Sequence, residues 1–287
     1  SGNVILVADQ GSILDALTTS GEKIRAEHIS LSAVNGSIGT ESNPLEITVT
    51  ADYSGDAADP DTDGTVIATA RGDIAITAVE RNLNVRKITS TAGNVILGAD
   101  VGSILDAEYD AAGFQNGADI IGNSVSLSAL VAIGALGNEL DIDSSANGAG
   151  KVRAFTELQS IFLSETTGDL NLDQVGTPTA DNGPTKPLAF LVAITGSILN
   201  ARLDTETDKR NIVSRRTFMS AFGSVGASGK GIVTEVGNLE AVSQNGSVHI
   251  HNLGALVVGD VNATTSGVTA SKGDIYIQSS SPTDVIE

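Results

Sequence analysis

The chain repeats itself, and that repetition limits what it can fold into. Gly93-Asn94-Val95-Ile96-Leu97-Gly98-Ala99-Asp100-Val101-Gly102-Ser103-Ile104-Leu105-Asp106-Ala107 is a near copy of Gly2 to Ala16, 91 residues earlier. A third copy runs from Pro187 to Ala201 and keeps Gly196-Ser197-Ile198-Leu199-Asn200-Ala201. A fourth opens at Gly273-Asp274-Ile275-Tyr276-Ile277. These openers set modules 2–92, 93–186 and 187–272 and a partial module 273–287. A second landmark keeps the same order: Ile29-Ser30-Leu31-Ser32-Ala33, Val125-Ser126-Leu127-Ser128-Ala129 and Thr217-Phe218-Met219-Ser220-Ala221. Self-similarity at a fixed period is the signature of an array whose units bury their apolar faces by stacking.

Inside each module the smallest unit is a Gly, a short polar residue, and then alternating apolar residues. In Gly72-Asp73-Ile74-Ala75-Ile76-Thr77-Ala78 a period of two puts Ile74, Ile76 and Ala78 on one face. Gly168-Asp169-Leu170-Asn171-Leu172 and Gly246-Ser247-Val248-His249-Ile250-His251 alternate in the same way. The leading Gly with its polar neighbour reads as a turn able to take positive φ. The expectation is an all-β protein of short strands, about twenty-odd residues per strand-and-turn unit. Long amphipathic helical runs are few. The economical arrangement is a single parallel β-helix (β-solenoid) over 1–287, about three ~90-residue super-repeats, with turns stacked at about 4.8 Å. About a dozen turns would make a rod of roughly 60 Å. An antiparallel β-sandwich array is the alternative.

Composition narrows the partners. Thirty-five acids against sixteen bases leave a net charge of −19, opposite to the basic footprint of nucleic-acid binding. The same charge disfavours anionic membranes, and no apolar run approaches the roughly 20 residues of a membrane span. Cysteine is absent, which removes disulfide and thiolate-metal frameworks and fits export of an unfolded chain. The 3% aromatic content leaves a core of small and branched aliphatics. Ser1 runs straight into repeat sequence and the fourth copy breaks off, as expected of a piece excised from a longer array. Its first partners would then be neighbouring repeats of the same long chain.

Variation gathers between the landmarks, at 17–28, 108–124 and 202–216, in an acidic insertion at 51–64 and in a Pro-rich excursion at 176–187. Runs of Gly-Asn-Val-x-Leu-x-Ala, Gly-Ser-Ile and Ile-x-Leu-x-Ala resemble the filamentous-haemagglutinin-like repeats of very large bacterial surface and secreted proteins. The resemblance implies a right-handed β-helix, export to the extracellular space or bacterial cell surface, and adhesion or spacing, with host or cell-surface glycans or proteins as partners. The ~90-residue super-repeat is longer than the one-turn repeat of that family.

Several constellations could carry chemistry. Asp59, Asp61 and Asp63 alternate before Gly64, as carboxylates converging on calcium do. Twelve positions from Asp59, where a bidentate Glu belongs, stands Ala70; the plainer reading is a solvated acidic loop. His249 and His251 sit i, i+2 on an outward strand face with no third ligand evident. Arg71-Gly72-Asp73 spells an integrin-binding tripeptide, but its last two residues are the ordinary strand opener. Asp141/Asp143 and Asp169/Asp173 could serve as acid and base, yet acidic outer faces are expected at this charge. Lys209-Arg210 with Arg215-Arg216 is the one basic concentration, suited to an acidic glycan or to pairing with a neighbouring module's acids. No concentration of unique polar residues on one module's face is evident. The reading is therefore a non-enzymatic structural or adhesive segment. The alternatives are a polysaccharide-binding or polysaccharide-processing β-helix and a self-assembling surface-layer or filament subunit.

Overall fold

Strand follows strand, and the strands pair in parallel with strands one turn of chain away. The structure, a computed structural model, describes residues 2–17, 19, 21–50, 64–107, 117–146, 148, 150–179, 186–203, 205–262 and 265–280. They contain no helix. The chain divides into two compact units, Ser1–Gly150 and Lys151–Glu287. The first holds β1 Val4–Ala8, β2 Ile24–Ala26, β3 Ile29–Ala33, β4 Leu45–Val49, β5 Val66–Ala70, β6 Ile74–Ala78, β7 Leu83–Ser90, β8 Val95–Ala99, β9 Ile104–Asp106, β10 Ile120–Ile121, β11 Val125–Ala129 and β12 Leu140–Asp143. The second holds β13 Val152–Thr156, β14 Ile161–Glu165, β15 Leu170–Gly176, β16 Leu188–Ala193, β17 Ile198–Asn200, β18 Ile212–Ala221, β19 Ile232–Ser243, β20 Val248–Leu253, β21 Val257–Val258, β22 Val268–Ala270 and β23 Ile275–Ser280.

The architecture is a parallel β-helix, not an antiparallel sandwich. Val4 pairs with Ile29, Ile29 with Val66 and Ile74 with Val95, steps of 25, 37 and 21 residues. One turn is thus much shorter than a module. The modules nevertheless agree in detail. Each opener strand pairs with its own landmark strand: β1 with β3, β8 with β11 and β16 with β18. The bridges Ile13↔Ile38, Ile104↔Ile133 and Ile198↔Val225 repeat likewise.

Alternation decides what goes inside. In β3, Ile29, Leu31 and Ala33 are buried, while Ser30 and Ser32 lie between them half-exposed. The parallel register sets like on like, so Leu45, Ile76, Leu97 and Leu127 form one aliphatic column through unit 1. Burying each such side chain stabilises the fold by about 1.5–3 kcal/mol.

The corners are built differently from the sequence expectation. Among the strand-opening glycines 2, 72, 93, 168, 237, 246 and 273, only Gly168 has positive φ. Of the others, all but Gly2 are hemmed in by the neighbouring turn, as are Gly36 and Gly196. A Cβ on Gly36 would run into the Gly11 carbonyl, one on Gly72 into Ser37, and one on Gly196 into the Gly168 carbonyl. The polar residue that follows makes a ladder: Ser37 N donates to Ser12 Oγ (3.0 Å) and Asn94 N to Asp73 Oδ1 (2.7 Å). In unit 2, Ser197 N donates to Asp169 Oδ1 (2.7 Å), Ser224 N to Ser197 Oγ (3.0 Å) and Ser247 N to Ser224 Oγ (3.1 Å). Each short side chain thus takes the amide proton of the turn above, which leaves those corner amides satisfied. Positive φ recurs in all three modules at one bend, Gly39, Gly134 and Gly226. There the chain closes a tight loop through antiparallel bridges Thr40↔Asn43, Ala135↔Asn138 and Ala227↔Lys230.

The variable segments 17–28, 108–124 and 202–216 hold strand as well: β2, β10 and the first part of β18. Each starts on one inward isoleucine, Ile24, Ile120 or Ile212, a signal too short for a period-two pattern to register.

Candidate ligand groove

The repeat supplies an internal comparison for every residue of the third module. In module one, Asn43 Nδ2 donates to the Asp15 carbonyl (3.0 Å), and in module two Asn138 Nδ2 donates to the Asp106 carbonyl (3.1 Å). The matching bridges place Asn200 where Asp15 and Asp106 stand, and Lys230 where Asn43 and Asn138 stand. In the third module the clamp is reversed, since Asn200 Nδ2 donates to the Gly231 carbonyl (2.9 Å). The Lys230 side chain is thereby released from holding the loop.

One further position loses an acid. Lys23 in module one is held between Glu46 (2.8 Å) and Asp15 (3.3 Å), and its ammonium is pushed above the usual lysine range chiefly by Glu46. The pairs Ile24↔Ile47 and Ile212↔Thr234 make Val233 the counterpart of Glu46. Ile38↔Ile74 and Val225↔Val248 likewise place His249 and His251 where module one has Ala75 and Thr77. On the next turn Tyr276 and Gln278, paired with those histidines, stand where Ile96 and Gly98 pair with Ala75 and Thr77. Ala75 is fully buried.

These replacements converge. A groove of about 440 Å³ is lined by Arg202, Lys209, Lys230, His249, His251 and Tyr276 over a floor that includes Val233 and Ile250. Among its described lining residues there is no Asp or Glu, on a chain with 35 acids and 16 bases. The His249 and Tyr276 rings lie 6.3 Å apart, tilted by 32°. His251 Nε2 is 2.7 Å from Ser280 Oγ, and Tyr276 OH donates to Gln278 Oε1 (3.2 Å). Tyr276 is 57% exposed, so its face is open to solvent.

Nearby acids are occupied by arginines. Asp173 meets Arg153 (3.2 Å) and Arg202 (3.7 Å), and Glu206 meets Arg202 (2.5 Å). Arg210 binds Asp208 (2.9 Å) and Glu235. Hydrogen bonds from Arg210 hold the Asp208 carboxyl below the usual carboxylate range, and the Leu203 N–H does the same for Glu206. Arg202 is buried, and its Nε has no hydrogen-bond partner among the described residues. A concentration of unique polar residues on one module's face, not evident in the sequence, is therefore present on the third.

The other sequence candidates separate. Asp59, Asp61 and Asp63 lie outside the described residues. Among the described residues no group of three or more His, Asp or Glu could hold a metal. Asp73 of the Arg-Gly-Asp tripeptide and Asp169 are corner-ladder acceptors. Asp143 Oδ1 accepts from Ser145 N and Oγ, both at 2.9 Å, and Asp173 is in the ion pairs above. Within the basic group, Lys209 lines the groove, and Arg210 is paired with Asp208 and Glu235 of its own module. Arg216 Nη2 donates to the Lys186 carbonyl (2.7 Å).

Fold and groove together define a β-solenoid whose repeat is broken on one surface by cations and aromatic rings. No family model matches the chain, and no curated protein or solved structure matches it.

Proposed function

We propose that the chain is a non-enzymatic structural and adhesive segment of a large extracellular bacterial protein, a stiff β-solenoid that displays variable loops. The observation that supports this is the division of labour between rungs and loops. Corner ladders and aliphatic columns recur from turn to turn, and the bridge-closed bend recurs in all three modules. What changes sits on the outside, where loops tolerate variation and carry contacts. Repetition of one turn gives a scaffold that does not depend on any single loop. The concentrated elaboration of the third module then serves recognition.

The test is retention of the purified chain on surfaces coated with bacterial or host-cell glycans, run beside an assay for reducing ends released from the same glycans. Retention without release is expected. Release of product would replace this reading with a polysaccharide-processing enzyme. For the location, protease added to intact producing cells should digest the segment; full protection would overturn an extracellular assignment.

A further inference from the structure

We propose that the groove on β20 and β23 binds an acidic saccharide, a pyranose unit carrying a carboxylate or a sulfate. Two observations point there. Lys209 and Lys230 line the groove with no acid among its described lining residues, on an anionic chain, while Arg202 beside them is paired with Asp173 and Glu206. The repeat shows that this is a substitution: Asp15 and Glu46 of module one become Asn200 and Val233, and Asn43 becomes Lys230.

A bare anion would not need the rest of the site. Tyr276 presents an open ring beside His249, an apolar face with a polar edge of the kind that meets a sugar ring. Gln278 Oε1 accepts from the Tyr276 hydroxyl, which leaves its amide N–H groups to donate to ligand hydroxyls. The volume of about 440 Å³ lies within the ~300–1,000 Å³ of small-molecule sites. Lys230 meets the anion, Tyr276 and His249 meet the ring, and Gln278 meets a hydroxyl. The saccharide class rests on the reading of the chain as a surface-display segment; the anion preference rests on the groove alone.

Titration calorimetry of the full chain with a sulfated heparin-derived tetrasaccharide, with tetragalacturonate and with neutral chitotetraose tests this. One acidic probe should bind at least about tenfold tighter than the neutral one, since hydrogen bonds to charged groups dominate. The tighter of the two acidic probes identifies sulfate or carboxylate as the recognised group. Lys230→Ala and Lys230→Gln should each weaken binding about tenfold. Tyr276→Ala should weaken it about fivefold, and Arg81→Ala on unit 1 should leave it unchanged. Thermal unfolding of the variants should match the parent, separating lost contact from lost fold. Equal affinity in the Lys230 variants, equal binding of chitotetraose, or full competition by inorganic sulfate at the same concentration would overturn the proposal. If the Lys230 variants are retained on glycan surfaces as well as the parent, the groove proposal falls and the display reading stands. If the soluble probe binds but no surface retains the chain, the reverse holds.

Discussion

At the scale of single residues, two demands meet at each corner: room for the neighbouring turn and an acceptor for its amide. Gly36 lies one turn in from Gly11, and its added Cβ would meet the Gly11 carbonyl, whereas a Cβ on Gly11 meets nothing within 4 Å. Gly36→Ala should therefore cost about 1–3 kcal/mol by overpacking, while Gly11→Ala should be near neutral. Urea denaturation of the two variants checks this, and equal stabilities would refute the spatial account. The acceptor is tested at Asp73, whose Oδ1 takes the Asn94 amide. Asp73→Asn keeps an acceptor oxygen and should leave stability almost unchanged, whereas Asp73→Ala should lose about 1 kcal/mol. The sequence foresaw Gly followed by Asn, Asp or Ser, but assigned the pattern to backbone conformation. Close approach between turns far apart in sequence is not a local property, so no local pattern distinguishes the two.

At the scale of elements, strands with three inward residues were legible and strands with one were not. β3, β8 and β11 announce themselves by alternation, but β10 is only Ile120–Ile121 and is defined by its neighbours Ile88 and Ile142. The groove escaped for a related reason. Asn200, Lys230, His249 and Tyr276 lie on four successive turns, and only the register of β17, β20 and β23 brings them together. A signal did exist. Lys230 falls where modules one and two have Asn43 and Asn138, so aligning the modules on Ile38-Gly39, Ile133-Gly134 and Val225-Gly226 would have exposed it. One more element shows how a loop is held: fully buried Glu240 on β19 accepts from Val261 N (3.2 Å), Asn262 N (3.1 Å) and Thr265 Oγ1 (2.6 Å). Glu240→Ala leaves those amides without their acceptor. The Val261 and Asn262 amides should then exchange hydrogen at least about tenfold faster, as loss of ~1.5–3 kcal/mol for bonds to a charged group implies. Unchanged exchange there would mean that β21 and β22 alone hold the segment.

At the scale of the whole molecule, local ion pairs compete with net charge. Surface pairs such as Asp208 with Arg210 contribute about 0–1 kcal/mol each, and salt weakens them. Against them stands a formal charge of −19, whose self-repulsion disfavours the folded state and is also weakened by salt. The Debye length falls from about 30 Å at 0.01 M to about 10 Å at 0.1 M, so screening removes long-range repulsion before it reaches pairs in contact. The unfolding temperature at pH 7 should therefore rise as NaCl is increased from about 0.01 to 0.1 M. The pH dependence has a definite sign. Asp208, Glu206 and Glu22 have folded pKa values below their unfolded values of 3.8, 4.5 and 4.5. Their contribution is fully present above those unfolded values and is lost as pH falls through the folded ones. Burial raises the Asp100 carboxyl, so acidification relieves its cost instead. Stability at low salt should thus hold or rise slightly as pH falls from 7 towards 4.5, because repulsion eases first. It should drop below about pH 4, where the paired carboxylates protonate. Thermal melts on a grid of salt and pH give the answer: an unfolding temperature that falls with salt at pH 7 would place the ion pairs above the repulsion and reverse the order argued here.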